Sequence, residues 1–361
     1  MKKWIAVFMA GLLTACASEK TEMTNEKTSE QQIDEIFAAF TGNNPGAAVM
    51  VIQDGKVTLQ KGYGMARVAD GTPVTPKSNF RLASVTKQFT AMSILQLVER
   101  GQLTLDTSLT DIFPEYPEHG KDITIRHMLQ HSSGLKDYAP MSELGLDRQF
   151  TDQDVFDFMV TLDDVDFAVG EQHVYSNSAY VLFTKILEKI TGEHWRDYVK
   201  ANIFDPIGMD NTLAFVDGVN VVSNRAYGHT VAENGDITET DQNDWSAMLG
   251  DGGIYSSLED FYKWDQALYT DKLLSQEMMD AMFVNRKTND GTLMNYGYGW
   301  RLENYKGMDV HYHTGSSIGF RNIYYRIPEK NFSLLIFRNR DEGGEFSSLE
   351  YAHDMVDVFF K

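Results

Sequence analysis

RLASVTKQFTAMSILQLVERGQL, residues 81–103, places a hydroxyl and an amine at the head of an apolar helix that stops at Gly101. Ser84 and Lys87 are three residues apart, so on a helix they share a face, about 5–6 Å apart at Cβ. A serine hydroxyl is protonated at neutral pH and becomes a nucleophile only with a base in hydrogen-bond reach. Lys87 can be that base only while its amine is neutral. Apolar surroundings and the positive end of the helix dipole both disfavour the ammonium form. The alternative is an ordinary solvated helix start. The chain carries a second S-x-x-K, Ser133-Gly134-Leu135-Lys136, with a glycine inside it, Asp137 after it and no apolar helix behind it. That copy reads as a loop with Lys136 solvated and charged.

Two further stretches extend the first copy. Tyr175-Ser176-Asn177 stands just before the apolar run AYVLFTKILEKITG. A phenol beside a lysine ammonium can shuttle protons, and the Asn177 amide can both donate and accept. VHYHTGSSIGF then sets His313-Thr314-Gly315 at the end of a strand. Gly315 allows a substrate close to the backbone, and the N–H of Ser316 can serve as an oxyanion donor.

In this order and spacing, Ser84-Val85-Thr86-Lys87, Tyr175-Ser176-Asn177 and His313-Thr314-Gly315 resemble the three motifs of the penicillin-recognising serine hydrolases. The nearest likeness is to the branch of class C β-lactamases and D-alanyl-D-alanine carboxypeptidases, which also holds esterases and D-aminopeptidases. TIRHMLQHSSGL, YSNSAYVLFTKILEKITG, GDGGIYSSLEDFYKW and TGSSIGF resemble the same branch. The resemblance implies an α+β, β-lactamase-like fold: an antiparallel sheet flanked by helices, a helix-rich second region, and an active site between them. It implies that Ser84 attacks a carbonyl with Lys87 and Tyr175 as proton-transfer partners. Asn177 would contact the substrate amide and Lys87, and the N–H groups of Ser84 and Ser316 would form the oxyanion hole. His313, Thr314 and Gly315 would line the substrate. Neither cofactor nor metal is implied.

One departure bears on substrate. Relatives that process β-lactams usually carry lysine where His313 stands, and that lysine meets a substrate carboxylate. A mostly neutral imidazole favours esters or small amides over β-lactams, and acidification toward pH 5.5 should weaken that preference as His313 charges. Alternatives are a peptidoglycan-directed D-alanyl carboxypeptidase, D-aminopeptidase or β-lactamase, and a non-catalytic binding or sensor lipoprotein of the same fold. A lesser departure is Val169, where the family often has proline.

The flanks and composition bound the rest. MKKWIAVFMAGLLTACASEK has a basic start, a short apolar run from Trp4 to Leu13, and Leu13-Thr14-Ala15-Cys16. It resembles a bacterial lipoprotein signal, which implies cleavage after residue 15, lipidation of Cys16 and a membrane-anchored, exported protein of the cell envelope. Cys16 is the only cysteine, so no intramolecular disulfide can form. Residues 16–31 read as a flexible tether and 32–361 as the hydrolase domain, with a helical insertion over about 105–250. Within that domain Asp54-Gly55 predicts a hairpin, residues 295–338 predict four strands, and the chain ends in an amphipathic helix. A net charge of −20 excludes a nucleic-acid partner of the usual basic kind. A monomer acting on a small ester, amide or peptide is the expectation. His127 with His131, and His311 with His313, have metal-like spacing but lack further clustered ligands. HSSGL is expected to form a turn in which His131 bonds locally.

Overall fold

Strand β1, Ala47–Gln53, is buried along almost its whole length, and this follows from its position inside a six-stranded antiparallel sheet. The computed structural model describes residues 1, 27–341 and 348–360. The signal segment, Cys16 and most of the tether lie outside these. The other strands are β2 (Lys56–Tyr63), β3 (Arg301–Tyr305), β4 (Met308–Ser317), β5 (Phe320–Ile327) and β6 (Phe332–Arg338), in the order β3-β4-β5-β6-β1-β2. The N-terminal hairpin and the C-terminal strands thus close one sheet, with Ala47 opposite Arg338 and Gln53 opposite Phe332. Asp54 and Gly55 both take positive φ, +50° and +71°, as a two-residue hairpin turn requires.

Side chains alternate across the sheet, and both faces are covered. Val49 and Val51 pack with Ile33 and Phe37 near helix α1 (Ser29–Ile36) and with Met355 and Val356 of the C-terminal helix. Ala48, Met50 and Ile52 face a larger core that contains Phe89, Met92 and Leu95 of α2 (Lys87–Glu99). Helix α1 begins earlier than the tether reading allowed. Thr28 caps Gln31 N–H at 3.2 Å while Gln31 Oε1 accepts from Thr28 N–H at 3.0 Å, so the tether ends before Ser29.

Helix α2 is the axis of the second layer. Two of its buried polar side chains tie it to its neighbours: Thr90 donates to Gly250 O at 2.6 Å, and Gln88 Oε1 accepts from Trp264 Nε1 at 3.0 Å. Around it stand α3 (Ile125–Leu129), α4 (Asp152–Met159) and α5 (Asn177–Thr191), the last ended by Gly192 at φ +75°. The helical insertion is shorter than its sequence reading. Its helices end at Ile207, and short strands follow at Leu213–Ala214, His229–Val231, Ile237–Glu239 and Ile254–Ser256. Asn234-Gly235, between two paired strands, is the turn signal that the broad reading passed over.

Candidate active site

From Ser78 to Leu97 every residue is buried except Ser84. The backbone brings that one side chain out. Ala83 has φ +50°, a left-handed conformation unfavourable for alanine by about 1–2 kcal/mol, and Ala83–Thr86 form a 3₁₀ turn that leads into α2. The turn is held on both sides: Leu82 N–H donates to Ile254 O at 2.8 Å, and Asn322 Nδ2 to Arg81 O at 2.8 Å.

Lys87 is the first residue of α2 and wholly buried. Its Nζ lies 3.2 Å from Ser84 Oγ, 2.8 Å from Asn177 Oδ1 and 3.0 Å from the carbonyl oxygen of Asp251. An ammonium would donate to all three. A neutral amine can donate to Asn177 and Asp251 only, which turns its lone pair toward the Ser84 hydroxyl. Asn177 and the Asp251 carbonyl would therefore aim a neutral Lys87 at Ser84. Asn177 was legible in the sequence; Asp251 was not, since a backbone carbonyl has no residue signature.

Tyr175 joins by its ring. Lys87 Nζ is 4.9 Å and the Arg301 guanidinium carbon 5.1 Å from its centroid. Its buried hydroxyl has no hydrogen-bond partner among the described residues. Arg301 is a second residue that sequence reasoning missed.

The third motif is built differently from its sequence reading. An added Cβ on Gly315 would lie 2.0 Å from Leu82 O, so this glycine lets β4 approach the nucleophile turn itself. Ser316 and Ser317, just beyond, reach the cleft, while Thr314 is half-buried. His313 is 1% exposed, and both ring nitrogens are engaged. Nδ1 faces Thr314 O at 2.7 Å, so it must carry the proton; Nε2 then accepts from the Tyr296 hydroxyl at 3.0 Å. Burial, with Arg301 and Lys87 nearby, holds the imidazole well below its ordinary titration range. His313 offers a substrate neither a donor nor a charge near pH 5.5, which corrects the sequence expectation.

Ser84 opens on a cleft of about 340 Å³ lined also by Asn177, Tyr138, Trp245, Asp137, Asp251 and Ser316. Asp251 Oδ2 accepts from Tyr138 at 2.7 Å. The second S-x-x-K stays outside this chemistry: Lys136 pairs with Asp164 at 2.5 Å in a loop. The His131 N–H does bond locally, donating to Met128 O at 3.2 Å, but the ring does not. Its Nδ1 accepts from Ser176 N–H at 3.0 Å, across forty-five positions of the chain. His311 stacks on Phe283 with centroids 4.4 Å apart. Among the described residues no group of three or more His, Cys, Asp or Glu is placed to hold a metal ion.

Known proteins share this arrangement at the level of sequence and fold. The profile of the Beta-lactamase family matches residues 30–355. Penicillin-binding protein 4* of Bacillus subtilis (strain 168) is 30% identical over 314 residues, 82% of this chain and 69% of that protein. A D-aminopeptidase of Gluconobacter oxydans (strain 621H) is 25% identical over 324 residues, 89% of this chain but only 60% of that protein's length. The octameric penicillin-binding protein homologue from Pyrococcus abyssi superposes with a TM-score of 0.79 at 27% identity, covering 92% of this chain and 76% of its own. Its octameric state gives the expectation of a monomer no support. With a family match over residues 30–355 and a relative 30% identical across most of both chains, this chain belongs to the beta-lactamase family and is a serine hydrolase.

Proposed function

We propose that the chain cleaves amides or esters of small α-amino acids through an acyl-enzyme on Ser84, with Asp137 and Asp251 reading the substrate's ammonium group. The observation that carries this reading is the pair of carboxylates in the nucleophile's own cleft. Arg81 is the only Lys or Arg among the described lining residues; it is 3% exposed and donates to Ser246 O at 3.0 Å. Such a cleft attracts a cation and repels the carboxylate of a β-lactam. The expected preference for esters and amides over β-lactams is thus kept, with cleft charge as its cause in place of His313. The likeness to a D-aminopeptidase supports the same substrate class.

In this reading Ser84 Oγ attacks the carbonyl as its proton passes to Lys87 Nζ, and the N–H groups of Ser84 and Ser316 take the oxyanion charge. The Tyr175–Lys87 pair returns the proton to the leaving amine or alcohol. Water, deprotonated by the same pair, then attacks the acyl-enzyme, and Ser84 regains its proton as the acid leaves.

The test compares alanine p-nitroanilides of both hands, their N-acetyl analogues, an aryl acetate and a chromogenic cephalosporin. Free-amine substrates should exceed their N-acetyl analogues in kcat/KM by at least about tenfold, roughly 1.4 kcal/mol. Asp137→Asn should erase most of that gap. A preference for the acetylated or the β-lactam substrate contradicts the proposal.

The same proposal places the enzyme at the cell envelope, held by lipid on Cys16. Among the described residues no helix is long and apolar enough to cross a membrane. A thiol-linked lipid contributes about 0.8 kcal/mol per buried methylene. Cys16→Ser should move the protein into the soluble fraction, and retention on membranes contradicts the anchor.

A further inference from the structure

His131 grips the chain on both sides of Tyr175. Its carbonyl oxygen accepts from Val174 N–H at 2.9 Å, and its ring Nδ1 accepts from Ser176 N–H at 3.0 Å. The ring itself lies against the Tyr175 ring, with centroids 4.4 Å apart and planes tilted by 37°. Both contacts from one residue depend on a backbone turned the unusual way, φ +57°, a conformation that non-glycine residues rarely adopt. The neighbouring residues extend the grip. Ser132 O accepts from Gly170 N–H at 2.9 Å, Gly134 O from Asp166 N–H at 2.8 Å, and Gln130 O faces His173 Nδ1 at 2.8 Å. Residues 130–134 form a bed on which the segment leading to Tyr175 is laid.

We propose that His131 is a positioning residue for Tyr175, fixing the backbone on either side of it and supporting its ring so that the phenol meets Lys87. The proposal rests on Tyr175 being a proton carrier. A hydroxyl without a partner has nothing of its own to orient it, so its place is set by the backbone and by the ring's neighbours. Those neighbours are Lys87, Arg301, His131, Tyr296 and His313. The grip also needs a free lone pair on Nδ1 at every working pH. His131 is wholly buried, and burial, with Lys87 and Arg301 nearby, keeps the ring neutral.

The experiment is a double-mutant cycle on the full chain, with turnover referred to sites labelled at end-point by a fluorophosphonate. His131→Phe keeps a ring and removes the acceptor, and His131→Ala removes the acceptor without added volume. His131→Asn places an amide oxygen where Nδ1 stood and tolerates the left-handed backbone. In an otherwise wild-type chain, Phe and Ala should each lower kcat about 10²-fold with KM changed less than threefold, and Asn should recover most of the loss. With Tyr175→Phe already in place, the same changes should cost less than about fivefold, because the group they position is gone. Equal losses in the two backgrounds, or full turnover per labelled site in His131→Ala, would overturn the proposal. Full activity in Tyr175→Phe alone would instead overturn the proton-carrier reading, and this proposal with it.

Discussion

Tyr296 donates its phenolic hydrogen to Nε2 of His313 across 3.0 Å, while Nδ1–H of the same ring is taken by Thr314 O. The imidazole is therefore part of the scaffold beneath Tyr175. Its depressed titration fixes the sign of a pH effect. The unfolded chain protonates this histidine near its ordinary value, while the native chain resists. The stability it contributes is present above about pH 6.5 and declines as pH falls below that. Between pH 7 and 5.5 the melting temperature should fall, and His313→Gln, which can still donate to Thr314 O and accept from Tyr296, should flatten the fall. Over the same range the ratio of ester to cephalosporin turnover should change less than about twofold. A cephalosporin rate that climbs as the protein is acidified contradicts this placement.

Lys87 and Tyr175 should behave as one unit. Lys87→Ala and Tyr175→Phe are each expected to cost about 10²–10⁴-fold in kcat, and the double variant little more than the worse single. Losses that multiply would assign the two residues to separate steps. Lys136→Ala, which cuts only the pair with Asp164, should leave turnover near wild type.

Gly315→Ala tests the seam between sheet and nucleophile turn. The new methyl would meet Leu82 O at 2.0 Å and Val85 Cγ2 at 3.3 Å, so β4 or the turn must move. Stability should fall by about 1–3 kcal/mol in denaturant titration. Turnover should drop at least about 10²-fold, since a displacement near 1 Å at the reacting atoms is enough for that. A stable, fully active variant would remove this glycine from the site's architecture.

Much of this site could be read from residue order alone, and the reasons lie in particular side chains. Ser84, Lys87 and Asn177 form short contacts through side-chain atoms, and each type is tied to its chemistry. Asp54-Gly55 and the apolar strands β1 and β6 likewise announce themselves by turn chemistry and composition. Three kinds of feature stayed hidden. The Asp251 carbonyl acts through the backbone, which every residue shares. His131 and Arg301 act on Tyr175 from distant parts of the chain, and only the fold brings them together. The substrate-facing role expected of His313 follows from the motif it resembles, and a motif cannot tell which neighbour reaches the ring first.

Asp152 joins the helical region to the loop that aims Lys87. Its carboxylate accepts from Leu249 N–H at 3.1 Å and Gly250 N–H at 3.4 Å, one residue before Asp251. Burial raises its titration to about 8 despite those bonds. The native chain thus holds a proton that the unfolded chain releases near pH 4, and stability is lost as pH rises between the two values. Asp152→Asn removes that dependence while keeping one acceptor oxygen. Its melting temperature relative to wild type should be higher at pH 9 than at pH 5, by roughly 2–6 °C if 1–2 kcal/mol is relieved. An equal offset at both pH values would mean that Asp152 titrates in its ordinary range.

The central claim is that Ser84 carries the acyl group. Intact-mass spectrometry after brief exposure to a fluorophosphonate, and separately to an activated alanine ester, measures this directly. Wild type should gain one adduct, mapped by peptide digestion to Ser84, and Ser84→Ala should gain none while keeping its melting temperature within a few degrees. An adduct that persists in Ser84→Ala, or a wild-type chain that hydrolyses the ester without ever carrying one, contradicts the account.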